Sequence, residues 1–454
     1  MKHLSAVFAL CLALLMTAAS TPASAAVPIQ RVVGASGVEA WLVEDRSVPV
    51  VSLRFAFPGG AALDPAGREG TAALVSGMLD EGAGPYDTVA FHRKLDDLSA
   101  ELRFAAGHDE FDGSLKVLKD NLSQAAELLR LALTEAQFPA DAIERMRAET
   151  LAALAKQARN PRSLSGRLWM QDAFEDHPYG RDSAGSPATV AAITRDDLTG
   201  FVARQFRRKG LVIGAVGDIT AVELVKVVDR IFDALPTGDM PGVADVVIPE
   251  ARPVDDGALI VSRTAVPQSV VTFGQTGPKR DDPDWYAAYV LNEIMGGGNF
   301  RGRLMKEIRE KRGLAYGVST ELMPYRHAGL ILGSIATENS RVAESIALIR
   351  AEWQRMRDAG PSEAELGSAK AYLAGAFPLS LDSTYRIAGL LVRLQTDKLG
   401  IDYLDHRAGL IEGVTLDQAR TVARRLFDPS RLSFAIVGDP ADLKSTRPAR
   451  QPPE

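Results

Sequence analysis

One constellation of chemically able side chains stands out in residues 300–325, FRGRLMKEIREKRGLAYGVSTELMPY. Its spacing predicts a helix over 301–312, with Leu304 and Ile308 on the buried face and Gly313 as the C′ glycine. The stretch LAYGVSTEL then alternates as a strand. Arg309 falls in the last helical turn and Tyr316 near the start of the strand. The two can converge although seven residues separate them. A plainer reading stands beside this one. Arg301, Arg303, Lys306, Lys311 and Arg312 are all nearby, so by spacing alone the segment reads first as a solvated basic face.

Other chemistries find little support. The histidines are His3, His92, His108, His177, His327 and His406. None is followed by a second His four residues later, or by a Glu three or four residues later. Ligands at i and i+4 share a helix face and can grip one metal ion; that pattern is absent. His177 sits in HPYG, which reads as a structured turn, and His92 and His108 read as surface or turn residues. Cys11 is the only cysteine, no Ser lies in a G-x-S-x-G elbow, and a turn explains Gly296-Gly297-Gly298 as well as phosphate binding does.

The elements around these groups form blocks. FHRKLDDLSAELRFAAGHDEFDGSLKVL reads as a helix and two alternating strands turning at Gly107, and the next segment as two helices broken near Phe138-Pro139. Strands joined by hairpins, with helices grouped between them, imply an α+β fold with mainly antiparallel sheets and helices packed on one face. The stretch GTAALVSGMLDEGAG, residues 70–84, reads as a helix from near Gly70 to Gly82 and Gly84. Its middle carries no group able to do chemistry.

The chain is a duplicated unit. ITRDDLTGFVARQFRRKGLVIGAVGD (193–218) aligns without a gap on VTLDQARTVARRLFDPSRLSFAIVGD (414–439). Each copy reads as a Thr N-cap, an amphipathic helix, a turn and an apolar strand ending in Gly-Asp. The openings VVSLRFAFPGGAALDP and SVVTFGQTGPKRDDP also correspond. The expected divisions are a signal peptide at 1–25, a first half at 26–240, a linker at 241–256, a second half at 257–440 and a disordered tail at 441–454.

Composition sets the class. With 46% hydrophobic and 24% charged residues, the chain has ample material for a soluble core. A net charge of −6 argues against a nucleic-acid-binding surface. At the N-terminus, Lys2 and His3 precede a short apolar run and then Ala23-Ser24-Ala25. This predicts export with cleavage after Ala25, rather than a membrane anchor. Cleavage removes Cys11, so the mature chain must be stable without disulfides, as suits a bacterial periplasm.

In order through nearly the whole mature chain, these features resemble the insulinase/pitrilysin-type (inverzincin) zinc peptidases in their short, two-half form, a duplicated α/β roll. The matching features are the strand–PGG–helix opening, HPYG at 177–180, VGD closing each half, and MGGGNFRGRLMKEIREKRGLAYGV. The last is the most specific, with Arg309 and Tyr316 at the family's Arg and Tyr places and Gly302 where Ser is usual. The family's zinc motif, His-x-x-Glu-His on the first helix, falls here on Ala73, Ser76 and Gly77. The region holding the family's further Glu, TLAALAKQARN at 150–160, has no acid. The resemblance therefore implies no metal on this chain.

Within the family, one half supplies the metal and a glutamate base, and the other supplies the Arg/Tyr pair. In some bacterial members these roles lie on two chains that pair. The resemblance thus implies a non-metal subunit of a periplasmic heterodimer. Its homologous partner would carry the zinc, and its substrate would be a peptide or unfolded polypeptide. Arg309 and Tyr316 would bind substrate and stabilise the oxyanion. The alternative is an inert scaffold that binds a partner or peptides without turnover. An active homodimer is disfavoured, since both copies would lack metal.

Overall fold

The computed structural model describes residues 28–238, 247–297 and 301–448. The expected signal peptide, Gly298 and residues 241–246 of the expected linker lie outside the described residues.

The first half runs β1 (Gln30–Val33), β2 (Glu39–Glu44), β3 (Val50–Pro58), α1 (Thr71–Ser76), α2 (Thr88–Asp97), β4 (Glu101–Ala106), β5 (Glu110–Leu118), α3 (Leu122–Thr134), α4 (Ala140–Gln157), α5 (Pro161–Ala173), α6 (Pro187–Ala192), α7 (Arg195–Gln205), β6 (Val212–Gly217) and α8 (Ala221–Phe232). The second half runs β7 (Leu259–Arg263), β8 (Gln268–Thr276), α9 (Trp285–Gly296), a π-helical turn (Met305–Glu310), β9 (Val318–Pro324), β10 (Gly329–Glu338), α10 (Val342–Ala359), α11 (Glu363–Ala376), α12 (Thr384–Thr396), α13 (Tyr403–Glu412), α14 (Leu416–Leu426) and β11 (Ser433–Gly438).

The duplication is visible strand by strand. One sheet has the order β1-β2-β6-β3-β5-β4 and the other β7-β11-β8-β10-β9. In each, one pair is parallel, β2 with β6 and β7 with β11, and the rest are antiparallel. Thr194 and Thr415 cap α7 and α14, their side chains accepting from Asp197 N and Gln418 N. The Gly-Asp that ends each repeat has a steric cause. Gly217 has φ +139°, and a Cβ there would lie 2.1 Å from Val50 O. Gly217→Ala is expected to cost about 1–3 kcal/mol or more, read as a lowered Tm.

Each half has its own core, between one sheet face and its helices. The expectation of helices on one face is incomplete, because a helix from the other half covers the second face. From the first half, α5 places Leu168, Trp169 and Ala173 against Ala435 and Val437 of β11 and Leu330 of β10. From the second half, α12 places Ala388, Leu391 and Leu394 against Trp41, Val43 and Val216. A hydroxyl pair marks each crossing, Ser165 Oγ to Thr272 Oγ1 and Ser52 Oγ to Thr384 Oγ1, both at 2.9 Å. The exchange explains why β6 and β11 read as unbroken apolar runs: both of their faces are buried.

Of the expected disordered tail at 441–454, residues 449–454 lie outside the described residues, and the part before them is held in place. Residues 445–447 lie along β7, where Val261 N donates to Ser445 Oγ at 2.8 Å and Thr446 N donates to Leu259 O at 2.8 Å. Arg447 Nε donates to Asp172 at 2.8 Å. These contacts cover an edge strand whose N–H groups would otherwise face water. In the first sheet β1 takes the corresponding place beside β2. The described part of the linker is also held: Pro249 O lies 2.9 Å from His177 Nε2, and Glu250 pairs with Lys279 at 2.9 Å.

Candidate functional site

The helix of residues 70–84 is shorter than expected. Only Thr71–Ser76 is α-helical. Past Gly77 the bonds become i to i−3, as in Met78 N to Val75 O and Glu81 N to Met78 O, so the ladder breaks into turns. Asp64 anchors the start, accepting Gly70 N at 2.9 Å and Ala72 N at 3.0 Å. Burial pushes the Asp64 carboxyl up to about 7, against the pull of these N–H donors.

Ala73, Ser76 and Gly77 share the half-exposed face of α1, while Ala72, Leu74 and Val75 turn into the core. This is the geometry that i, i+3, i+4 spacing requires. The face does not fit a metal. Ser76 Oγ donates back to Ala73 O at 2.8 Å, and a Cβ at Gly77 would meet Met146 Sδ and Cε at 3.2 Å. Among the described residues, no group of three or more His, Cys, Asp or Glu side chains could hold a metal ion. The combination Ala73→His, Ser76→Glu and Gly77→His is therefore expected to retain no stoichiometric zinc after dialysis. Met146 crowds the face, and residues 150–160 of α4 and the loop after it supply no acid.

The segment carrying Arg309 and Tyr316 is heavily anchored. It is helical, but its central turn is π-helical over Met305–Glu310. Leu304 and Ile308 are fully buried, as their spacing predicts, and Gly313 has φ +60°. Gly313 N donates to Arg309 O and Leu314 N to Ile308 O, both at 2.9 Å, folding the chain back on itself. Thr337 Oγ1 then holds Leu314 O at 2.7 Å. Arg309 is half-buried in the last turn. Tyr316 precedes β9 and is 87% exposed, a large ring left in water. Gly302, where Ser is usual in the resembled family, sits against the backbone of α9. A Cβ there would meet Met295 O at 3.0 Å.

The basic face is only partly solvated. Arg303 is buried and points inward, donating to both Glu365 carboxylate oxygens at 2.7 and 2.8 Å and to Gly360 O at 2.9 Å. The Arg303 guanidinium holds the Glu365 carboxyl down at about 2. Lys311 and Arg312 converge on the buried Glu307 at 2.6 and 2.9 Å. Beside this segment, burial raises the Glu293 carboxyl on α9 to about 7. Sequence reasoning missed these positioning residues. Ser362-x-x-Glu365 is a legible capping box, but nothing local ties it to Arg303.

His177 and His108 are held in the fold by their neighbours. His177 Nδ1 accepts Tyr179 N at 3.1 Å, which places the ring proton on Nε2 toward Pro249 O. His108 is more enclosed than a surface residue. Its ring sits 5.7 Å from both Tyr179 and Tyr325, and burial lowers its pKa.

Comparison with known proteins places this arrangement. A family model described as the peptidase M16 inactive domain matches residues 192–373. Over 404 residues the chain is 26% identical to the non-peptidase homolog YmxG of Helicobacter pylori, covering 87% of this chain and 90% of that protein. Over 380 residues it is 27% identical to an uncharacterized zinc protease of Mycobacterium bovis, covering 83% and 85%. A crystal structure of a peptidase M16 inactive domain from Pseudomonas fluorescens superposes with a TM-score of 0.84 at 29% identity, covering 92% of this chain and 99% of that one. The chain is similar in sequence and fold to M16 (insulinase) peptidases, and residues 192–373 match their inactive domain. That match is to the inactive-domain type and does not extend to α1, whose residues Thr71–Ser76 include no His, Cys, Asp or Glu. A Helicobacter pylori protease structure, at TM-score 0.82 and 17% identity, shares the fold.

Proposed function

We propose that this chain is the non-metal subunit of a heterodimeric zinc metallopeptidase, exported to the periplasm and paired with a homologous chain that carries His-x-x-Glu-His. In this reading the partner supplies the zinc and the base. Attack of water on a peptide carbonyl places negative charge on its oxygen. The Tyr316 hydroxyl and the Arg309 guanidinium donate hydrogen bonds to that oxygen and to neighbouring substrate carbonyls. The observation that carries the reading is the exposure of Tyr316 on a segment pinned from both sides. Such a ring gains nothing from the core and is presented outward.

The test is a pull-down of the tagged chain from its native periplasm, with zinc and peptide-hydrolysis assays on what is recovered. A zinc-bearing M16 partner and peptidase activity support the reading. Recovery without any zinc-bearing chain overturns it. One observation favours the second reading, an inert scaffold: a relative over 87% of this chain is named a non-peptidase homolog. That reading requires partner or peptide binding with no turnover in any combination.

A further inference from the structure

We propose that the cavity between α4 and α5 is a peptide-binding site selective for an apolar side chain next to a cationic group. The inference rests on the reading of the chain as a peptide-handling subunit and gives that subunit its substrate class. The cavity measures about 1140 Å³. Sites for drug-sized ligands span about 300–1,000 Å³, so this one has room for a short peptide segment.

Its lining has two characters. Leu151, Leu154 and Ala155 of α4 form an apolar floor that suits an aliphatic side chain. The opposite wall, from α5 and the loop after it, is rich in acceptors. Gln171 Oε1 is buried there without a hydrogen-bond partner, and an orphaned acceptor calls for a donor from a ligand. The lining holds four carboxylates, on Glu69, Glu175, Asp176 and Asp182, against two guanidiniums. Both guanidiniums already face acids: Arg167 lies 2.8 Å from Asp182, and Arg181 lies 3.9 Å from Glu69. Asp176, exposed on this wall, makes no ion pair among the described residues, so its carboxylate favours a cation. A peptide N-terminus or a Lys or Arg side chain beside a Leu-like residue meets all three requirements. The place also matters, because α5 is the helix that leaves the first half to pack on the second sheet. A bound peptide would lie at that crossing.

The test uses the full chain without partner or added metal. Fluorescein-labelled decapeptides of alternating Leu and Lys, or of alternating Leu and Glu, are titrated by fluorescence anisotropy. The Leu/Lys peptide is expected to bind at least tenfold more tightly. Ala155 is exposed to the cavity, so Ala155→Trp lays a bulky ring across its apolar floor without disturbing the core. It should weaken binding at least tenfold with an unchanged melting curve. The exposed Asp176→Lys should do the same for the Leu/Lys peptide alone. Equal binding of the two peptides, no binding of either, or wild-type binding by both variants overturns the site. If the binding pattern holds but no pairing with a zinc-bearing chain cleaves peptides, the site stands and the peptidase reading falls.

Discussion

Tyr316→Phe is expected to lower kcat of the reconstituted pair by about 10²–10³-fold, the usual cost of one lost oxyanion donor. KM should change little, because a hydrogen bond that strengthens as charge develops contributes mainly to the transition state. The folded chain should barely notice. At 87% exposure the ring adds no core contact, and surface changes of this kind stay within about 0.5 kcal/mol. Pair formation should also persist, since the phenyl ring remains. The measurement is steady-state hydrolysis by the variant pair beside a melting curve of the variant chain. Full activity in that pair would remove the catalytic role assigned to Tyr316.

Arg303→Ala is expected to be the most damaging change to the stability of the second half. It leaves the Glu365 carboxylate without its partner and Gly360 O without its donor. Because Glu365 is about a third exposed and still accepts from Ser362 N and Oγ, the loss should be about 1.5–3 kcal/mol, below that of a fully buried pair. Urea denaturation should show that loss as a lower midpoint. Replacing both members, Arg303→Met with Glu365→Leu, should recover much of it, because no isolated charge remains. If the double variant were as unstable as the single one, the ion pair would not be the source of the effect. The sign of the pH dependence is fixed by the Glu365 carboxyl, lowered from about 4.5 to about 2. A depressed carboxyl gives stability that is present above its unfolded value. That contribution should fade as pH drops from about 4.5 through about 2.

Much of this was legible in the amino-acid order, and for identifiable reasons. The repeat of Thr-capped helix, turn and apolar strand is local, so 193–218 and 414–439 announced matching elements. That Ala73, Ser76 and Gly77 share one face was also local, because i, i+3, i+4 positions do so wherever a helix forms. What escaped depends on distance. Arg303 and Glu365 lie 62 positions apart, and a run of six basic residues hides which one turns inward. The cavity between α4 and α5 needs the path of two helices in space. The tail misled for a different reason. STRPARQPPE has a disordered composition, yet Ser445 and Thr446 supply the hydrogen bonds that the edge of β7 lacks.

The exchange of α5 and α12 sets a schedule for synthesis. The first sheet is complete in sequence at Gly217, but the helix that covers its second face begins only at Thr384. A ribosome adding about 5–20 residues per second needs roughly 10–30 seconds to make the intervening stretch. Throughout that interval Trp41, Val43 and Val216 have no cover from the nascent chain. The first half therefore cannot finish folding alone, and for that window it is a client for whatever holds unfinished chains apart. The same interlock keeps a finished molecule together after a single cut between the halves, since each fragment would still hold the other's sheet.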